Sequence, residues 1–200
     1  MKGTPGSRRD VEAPAAGPNA PLRAVVLLGF MGAGKTSVGR ELGARLGWRF
    51  ADLDDRVETR EGRSVPEIFR DSGEAEFRRA EHAALRELLA ELESGSPVIV
   101  ALGGGAFVQA ANVALVDGVH TPTVFLDASP EELWRRCVAD AVERPLRRNQ
   151  QEFRQLYDLR RPCYQQARLC IQTGSRTVGE VVDEILESLS LRGQDTSEEK

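Results

Sequence analysis

The sequence predicts an α/β fold in which a five-stranded parallel sheet lies between two layers of helices. Three observations predict it. Five short apolar runs, at 24–28, 48–52, 98–102, 123–127 and 169–172, have the length and side chains of buried strands. A segment with helical spacing of apolar residues follows each of them, and strands alternating with helices assemble into a parallel sheet covered on both faces. Between the first strand and the first helix stands Gly29-Phe30-Met31-Gly32-Ala33-Gly34-Lys35-Thr36, which fits the pattern G-x-x-x-x-G-K-[ST] of a phosphate-binding P-loop.

Taken in order, residues 1–21 are rich in Gly, Pro and Ala, show no apolar period and are expected to be a disordered tail, as are residues 192–200. Residues 22–191 form one domain. The first strand is 24–28. The helix at 37–46 carries Val38, Leu42 and Leu46 on one face. The second strand, 48–52, ends in carboxylates. Residues 55–60 and 65–70 read as short helices broken at Gly62. Residues 74–93 read as a long helix with the stripe Phe77, Ala80, Ala84, Leu85, Leu88, Leu89 and Leu92, closed by Gly95 and Pro97. The third strand, 98–102, runs into Gly103-Gly104-Gly105, and a weak helix is expected at 109–115. After the fourth strand, 123–127, Ser129 and Pro130 are a good cap and first-turn pair for a helix reaching about Val138. Residues 140–149 are charged, contain Pro145 and read as a loop. A helix follows at 150–166 with a kink at Pro162, then the fifth strand, 169–172, and a closing helix at 178–191.

Composition narrows the function. The formal net charge of −4 argues against a general nucleic-acid surface, so an anionic ligand needs a local cationic pocket. The three cysteines, Cys137, Cys163 and Cys170, match no zinc or redox spacing and read as free thiols of a reducing, cytoplasmic compartment. No apolar run approaches a membrane span, and the basic N-terminus has no apolar stretch behind it, so neither a membrane protein nor a signal peptide is expected. Nothing suggests an obligate partner, and a monomer is expected.

The P-loop carries the first chemistry. Its glycines let the backbone wrap a phosphate, its N–H groups and the helix start favour negative charge, Lys35 reaches the β- and γ-phosphates and Thr36 offers its hydroxyl to Mg²⁺. Ligands of such sheets bind outside the carboxyl ends of the strands, and the P-loop, Asp52, the triple glycine and Asp127 all fall there. In an extended segment Asp52 and Asp54 face the same way, one suited to the metal and one to an acceptor hydroxyl, although acids are also favoured at a solvated helix start. Arg78 and Glu81, three apart on a helix, form either a pre-set fork for a carboxylate or phosphate, or an exposed ion pair. Gly103, Gly104 and Gly105 permit close approach of a ligand. The third strand ends in Ala101-Leu102 rather than an acid, leaving the metal to Thr36 and, through water, Asp52. Arg135, Arg136, Arg144, Arg160 and Arg161 include candidates for a lid over phosphates, Arg135 and Arg161 being the expected surface residues.

With these stretches together, the sequence resembles the shikimate kinases, small relatives of the nucleoside monophosphate kinases. The resemblance runs from about Arg23 to Leu191. It rests on the P-loop through Gly39, Phe50-Ala51-Asp52-Leu53-Asp54, 62–69, 73–81, Leu102-Gly103-Gly104-Gly105-Ala106, Arg144-Pro145-Leu146 and Arg160-Arg161-Pro162-Cys163-Tyr164. It implies a three-layer P-loop kinase with a substrate-binding region at about 53–81 and a mobile lid at about 138–152. It implies Lys35, Asp54 and Arg144 as catalytic residues and Gly32, Ala33, Gly34, Lys35, Thr36, Ser37, Arg136, Arg144 and Arg176 around ATP. Asp54, Arg78, Gly103, Gly104, Gly105 and Arg160 would surround shikimate, with Glu81 orienting Arg78. Thr36 and Asp52 would hold Mg²⁺. The implied reaction is phosphoryl transfer from ATP to the 3-hydroxyl of shikimate in the chorismate route to aromatic amino acids. A kinase for another polyol acid such as gluconate, and a non-catalytic ATP-binding relative, are the alternatives.

Overall fold

The computed structural model describes residues 22–92, 95–139 and 149–191. The two expected tails, most of the expected lid and Arg144 lie outside the described residues.

Five parallel strands form one sheet in the order β2-β3-β1-β4-β5. They are β1 (Ala24–Leu28), β2 (Arg49–Asp52), β3 (Val98–Ala101), β4 (Thr123–Asp127) and β5 (Leu169–Gln172). The order follows from burial. The three inner strands are apolar at nearly every position and buried throughout, as strands covered on both faces must be. The edge strands are mixed: β5, Leu-Cys-Ile-Gln, buries only Ile171 fully. β1 sits at the centre, with Val26 level with Val100 of β3 and Thr123 of β4.

The helices are α1 (Lys35–Leu46), α2 (Leu53–Glu61), α3 (Val65–Ala90), α4 (Ala110–Gly118), α5 (Pro130–Ala139), α6 (Gln150–Tyr164) and α7 (Val178–Ser188). α1 packs on α7, whose inner face is Val181, Val182, Ile185 and Leu186, and α2 packs on α3. The chain leaving β1 travels toward β2 at one edge, and the chain leaving β3 crosses to β4 on the other side. A crevice therefore opens outside the carboxyl ends of β1 and β3, the usual ligand position of such sheets.

Several boundaries differ from the sequence expectation for physical reasons. α1 begins at Lys35 because Gly34, at φ 90°, ends the loop in a conformation that excludes earlier helical turns. The helices expected at 65–70 and 74–93 are continuous except at Gly73 (φ 78°, ψ 174°), where the axis is interrupted; the first part starts with a Ser64–Glu67 capping box and ends of the second part are set by Glu91. α6 continues through Pro162 to Tyr164, since a proline in the last turn forfeits one backbone bond only. A short 3₁₀ turn, Ala106–Val108, follows the triple glycine, and α4 begins after it.

Candidate active site

The larger cavity, about 920 Å³, lies over the P-loop at the crevice. The loop is fixed by glycines in the left-handed region, Gly29 (φ 151°), Gly32 (φ 77°) and Gly34 (φ 90°). At Gly32 a Cβ would also sit 2.7 Å from the carbonyl oxygen of Leu133 and 2.9 Å from Cys137 Sγ, so the loop packs directly on α5. Lys35 Nζ donates to the carbonyls of Gly29 (2.9 Å) and Phe30 (3.1 Å), folded back along its own loop. Thr36 Oγ1 donates to Asp52 Oδ2 at 3.0 Å. Two hard oxygens side by side at the P-loop suit Mg²⁺, which takes one or two protein oxygens and completes its shell with phosphate and water. Among the described residues no cluster of three or more His, Cys, Asp or Glu side chains offers a self-contained metal cage. At the far end, Arg136 Nη2 donates to Thr173 O (2.8 Å) and its Nε to Glu132 (2.8 Å). Arg176 donates to the carbonyls of Gln172 and Glu180 and pairs with Glu184. Both guanidinium groups are held at the cavity wall.

A smaller cavity of about 100 Å³ adjoins it. Arg78 and Arg160 line it, with Asp54, Glu81, Gly103, Gly104 and Gly105. Arg78 is fixed from two sides. Its Nη1 donates to both oxygens of Glu81 (3.1 and 2.9 Å), its Nε and Nη2 to Glu74 (3.2 and 2.9 Å), and its guanidinium lies 5.1 Å from the centroid of the Phe77 ring. A Cβ on Gly105 would fall 2.7 Å from Arg78 Cζ, so the guanidinium rests on bare backbone. A Cβ on Gly103 would fall 2.5 Å from Asp54 Oδ1. Arg160, 8% exposed, donates to Gly104 O at 3.1 Å, and the Tyr164 hydroxyl donates to the same carbonyl, so α6 grips the glycine loop. Glu81 is 0% exposed. Burial pushes its carboxyl up to about 7, against the pull of Arg78 and Arg160 and with the help of Asp54. Met31, Asp54, Val65, Gly103 and Gly104 line both cavities. A carboxylate thus stands where the two spaces meet.

A family model described as shikimate kinase matches residues 31–190. The chain belongs to the shikimate kinase family. It is 41% identical to the shikimate kinase of Thermus thermophilus over 172 residues, covering 84% of this chain and 91% of that one. It is 42% identical to that of Caulobacter vibrioides over 175 residues, covering 85% and 84%. The shikimate kinase of Acinetobacter baumannii, solved in complex with shikimate, superposes with a TM-score of 0.78 at 32% identity over 87% of this chain and 96% of that one. The family makes this chain an ATP-dependent phosphotransferase.

Most of the residues that the resemblance to shikimate kinases singled out come together. Gly32, Ala33, Gly34, Lys35, Thr36, Ser37, Asp52, Arg136 and Arg176 line the larger cavity, Arg78, Gly105 and Arg160 the smaller one, and Asp54, Gly103 and Gly104 both. Arg144 lies outside the described residues. The reason given for the Asp52–Asp54 pair needs correction. Asp54 is not extended but sits in the first turn of α2, and Asp52 is the cap of that helix, its Oδ1 accepting from Asp54 N at 3.1 Å. Asp127, at a strand end like the site residues, lines neither cavity. It is 3% exposed and accepts from Tyr157 (2.9 Å), Arg161 (2.8 Å) and Gln172 (3.3 Å). Arg161, expected at the surface, is therefore only half-exposed and neutralises a buried acid, whereas Arg135 is 75% exposed beside Glu132. Sequence reasoning missed Gln109, which donates to Glu81 Oε2 at 2.7 Å, and the buried Asn112, joined to His82 Nδ1 at 2.7 Å. Their partners are 28 and 30 residues away, beyond any local pattern.

Proposed function

We propose that the chain transfers the γ-phosphoryl group of ATP to the 3-hydroxyl of shikimate, giving shikimate 3-phosphate and ADP on the route to aromatic amino acids. The observation that carries the reading is the junction of the two cavities. A phosphate-binding loop opens on one side, two arginines close the other, and Asp54 stands between.

Arg78 and Arg160 grip the shikimate carboxylate, and a guanidinium fork matches a carboxylate in geometry as well as charge. The acceptor's hydroxyls then point toward Asp54, with Gly103, Gly104 and Gly105 allowing the ring close to the backbone. Asp54 accepts a hydrogen bond from the 3-hydroxyl and takes its proton as the new O–P bond forms and the bond to ADP breaks. On the donor side the N–H groups of Gly32, Ala33, Gly34, Lys35, Thr36 and Ser37 surround the phosphates at the start of α1. Lys35 leaves its resting carbonyl partners for the β- and γ-phosphates, Arg136 and Arg176 border the adenine, and Arg144, outside the described residues, is assigned to the transferring phosphoryl group. Thr36 and, through water, Asp52 would hold Mg²⁺, which would neutralise phosphate charge. Phosphoryl transfer asks little covalent work of a protein, so positioning and charge carry the rate. One chain supplies both cavities, in keeping with a monomer. No helix among the described residues is long and apolar enough to cross a membrane, in keeping with action in the cytoplasm.

The test is ADP release from Mg-ATP with shikimate, with gluconate and with no acceptor. Release that depends on shikimate is expected. Faster turnover on gluconate overturns the acceptor assignment, and ATP binding without release on any acid favours a non-catalytic protein.

A further inference from the structure

The structure assigns to Gln109 the role of a positioning residue for the acceptor's carboxylate grip, acting through Glu81 on Arg78. This rests on the reading of Arg78 as a ligand of that carboxylate. Arg78 has two anchors of unequal quality. The Glu74 side chain is 55% exposed and its pull is screened by water, while Glu81 is wholly buried. The placement of the guanidinium is therefore decided by Glu81. Among the described residues the Glu81 carboxylate has in turn two side-chain donors, Arg78 and Gln109. Arg78 is on its own helix and moves with it. Gln109 Nε2, at 2.7 Å from Oε2, is the contact that refers the carboxylate to a different element. Asp54 on α2 and Arg160 on α6 are the other charged groups facing it.

The element that carries Gln109 gives this contact its meaning. Residues 105–109 run directly from the glycine loop through the 3₁₀ turn, which Gln109 closes by donating its backbone N–H to Ala106 O at 3.3 Å. Gly105 lies beneath the Arg78 guanidinium and Gln109 holds the partner behind it. One short segment thus sets both the floor and the back wall of the grip.

The segment does not need the Gln109 amide to stay in place. Asn112, wholly buried, donates from Nδ2 to Ala106 O (3.0 Å), from its backbone N–H to Gln109 O (2.9 Å), and accepts at Oδ1 from His82 Nδ1 (2.7 Å). This latch ties α4 to α3 independently. Removing the amide hydrogen bond therefore releases Glu81 and Arg78 and leaves the helices where they are.

The experiment compares wild type, Gln109→Met, Arg78→Ala and the double variant in steady-state kinetics with shikimate and Mg-ATP. Methionine keeps the length of glutamine and removes the donor. Loss of a hydrogen bond to a charged group predicts a rise of about tenfold in the KM for shikimate, with kcat within about twofold and the KM for ATP unchanged. In the Arg78→Ala background the same substitution has no further effect, because the group it positions is gone. In Gln109→Glu two carboxyl groups share one site. Its KM, relative to wild type, falls as the pH drops from about 8 to about 6, when one shared proton restores the hydrogen bond. A normal KM in Gln109→Met while Arg78→Ala raises it overturns the role of Gln109 alone. An equal effect of Gln109→Met with and without Arg78 does the same. A normal KM in Arg78→Ala overturns the carboxylate grip and, with it, the role of Gln109.

Discussion

Glu81 titrates late, and the chain's stability must register it. The carboxyl is pushed from an ordinary 4.5 to about 7, first by burial, with Asp54 adding to the effect and Arg78 and Arg160 opposing it. In the unfolded chain Glu81 loses its proton near 4.5; in the folded chain it keeps it to about 7. Below the lower value both states are protonated and the group makes no difference. Between the two, the unfolded state binds fewer protons, so stability falls as pH rises, and above the upper value the loss is complete. The difference from 4.5 to about 7, at about 1.4 kcal/mol per pH unit, amounts to about 3 kcal/mol. That is a large share of the 5–15 kcal/mol of a typical domain. Other groups titrate in the same range, so the measurement is a difference. Denaturant unfolding of wild type and Glu81→Gln is followed from about pH 4 to about pH 8. Glutamine imitates the protonated acid, and its advantage over wild type should grow by about 3 kcal/mol across the interval and then level off. Two parallel stability curves would refute the reasoning, since they would mean that Glu81 ionises in the folded chain as easily as in water.

Three further outcomes follow from contacts at and around the site. Lys35→Ala should reduce shikimate-dependent ADP release by at least about a hundredfold, because a donor aimed at transferring charge is lost, while the unfolding midpoint barely moves; near-normal turnover would contradict the assignment. Gly105→Ala puts a methyl 2.7 Å from Arg78 Cζ and should raise the KM for shikimate by about tenfold or more without changing that for ATP, measured in the same assay. Asp127→Ala leaves the buried Tyr157 hydroxyl with the more distant acceptor Ala128 O, at 3.2 Å, takes the carboxylate from the half-exposed Arg161, and should lower stability by about 2 kcal/mol in denaturant, with the shikimate KM changed less than in Gly105→Ala.

The local parts of the fold were legible because local rules make them. The strands at 24–28, 123–127 and 169–172 have the bounds that apolar runs and their flanking turns indicate. The P-loop needs its glycines, and the torsions at Gly29, Gly32 and Gly34 say why. What sequence could not give were relations between distant segments. That Asp127 is structural depends on Tyr157 and Arg161, some 30 residues on, reaching back to it. That Asp54 is helical depends on Asp52 capping a helix that begins at Leu53, two residues earlier than the sequence suggests. Gln109 carries no motif at all; its significance comes from the chance that folding sets it 2.7 Å from a buried acid. The described residues singled out by resemblance, all but Arg144, line the two cavities, because a family pattern carries such distant relations implicitly.

The corrected geometry at Asp52 says more than the extended pair did. One oxygen, Oδ2, accepts from Thr36 at the start of α1; the other, Oδ1, accepts from the backbone of Asp54 at the start of α2. A single carboxylate thereby joins the P-loop side of the larger cavity to the residue that borders the smaller one. Two side chains on an extended strand would each have been free to choose a rotamer. As a cap, Asp52 is instead held by the backbone N–H of Asp54 and the Thr36 hydroxyl, and Asp54, placed in the first turn, would serve the proposed transfer as proton acceptor only if its distance to the reacting oxygen were held to a fraction of an ångström. The same logic runs through the acceptor side, where Arg78 is held by Glu81 and Arg160 by Gly104 O. Arg78, which would meet the acceptor, is thus placed by a wholly buried acid behind it. The burial of Glu81, unfavourable to the fold by itself, is the clearest cost of that arrangement.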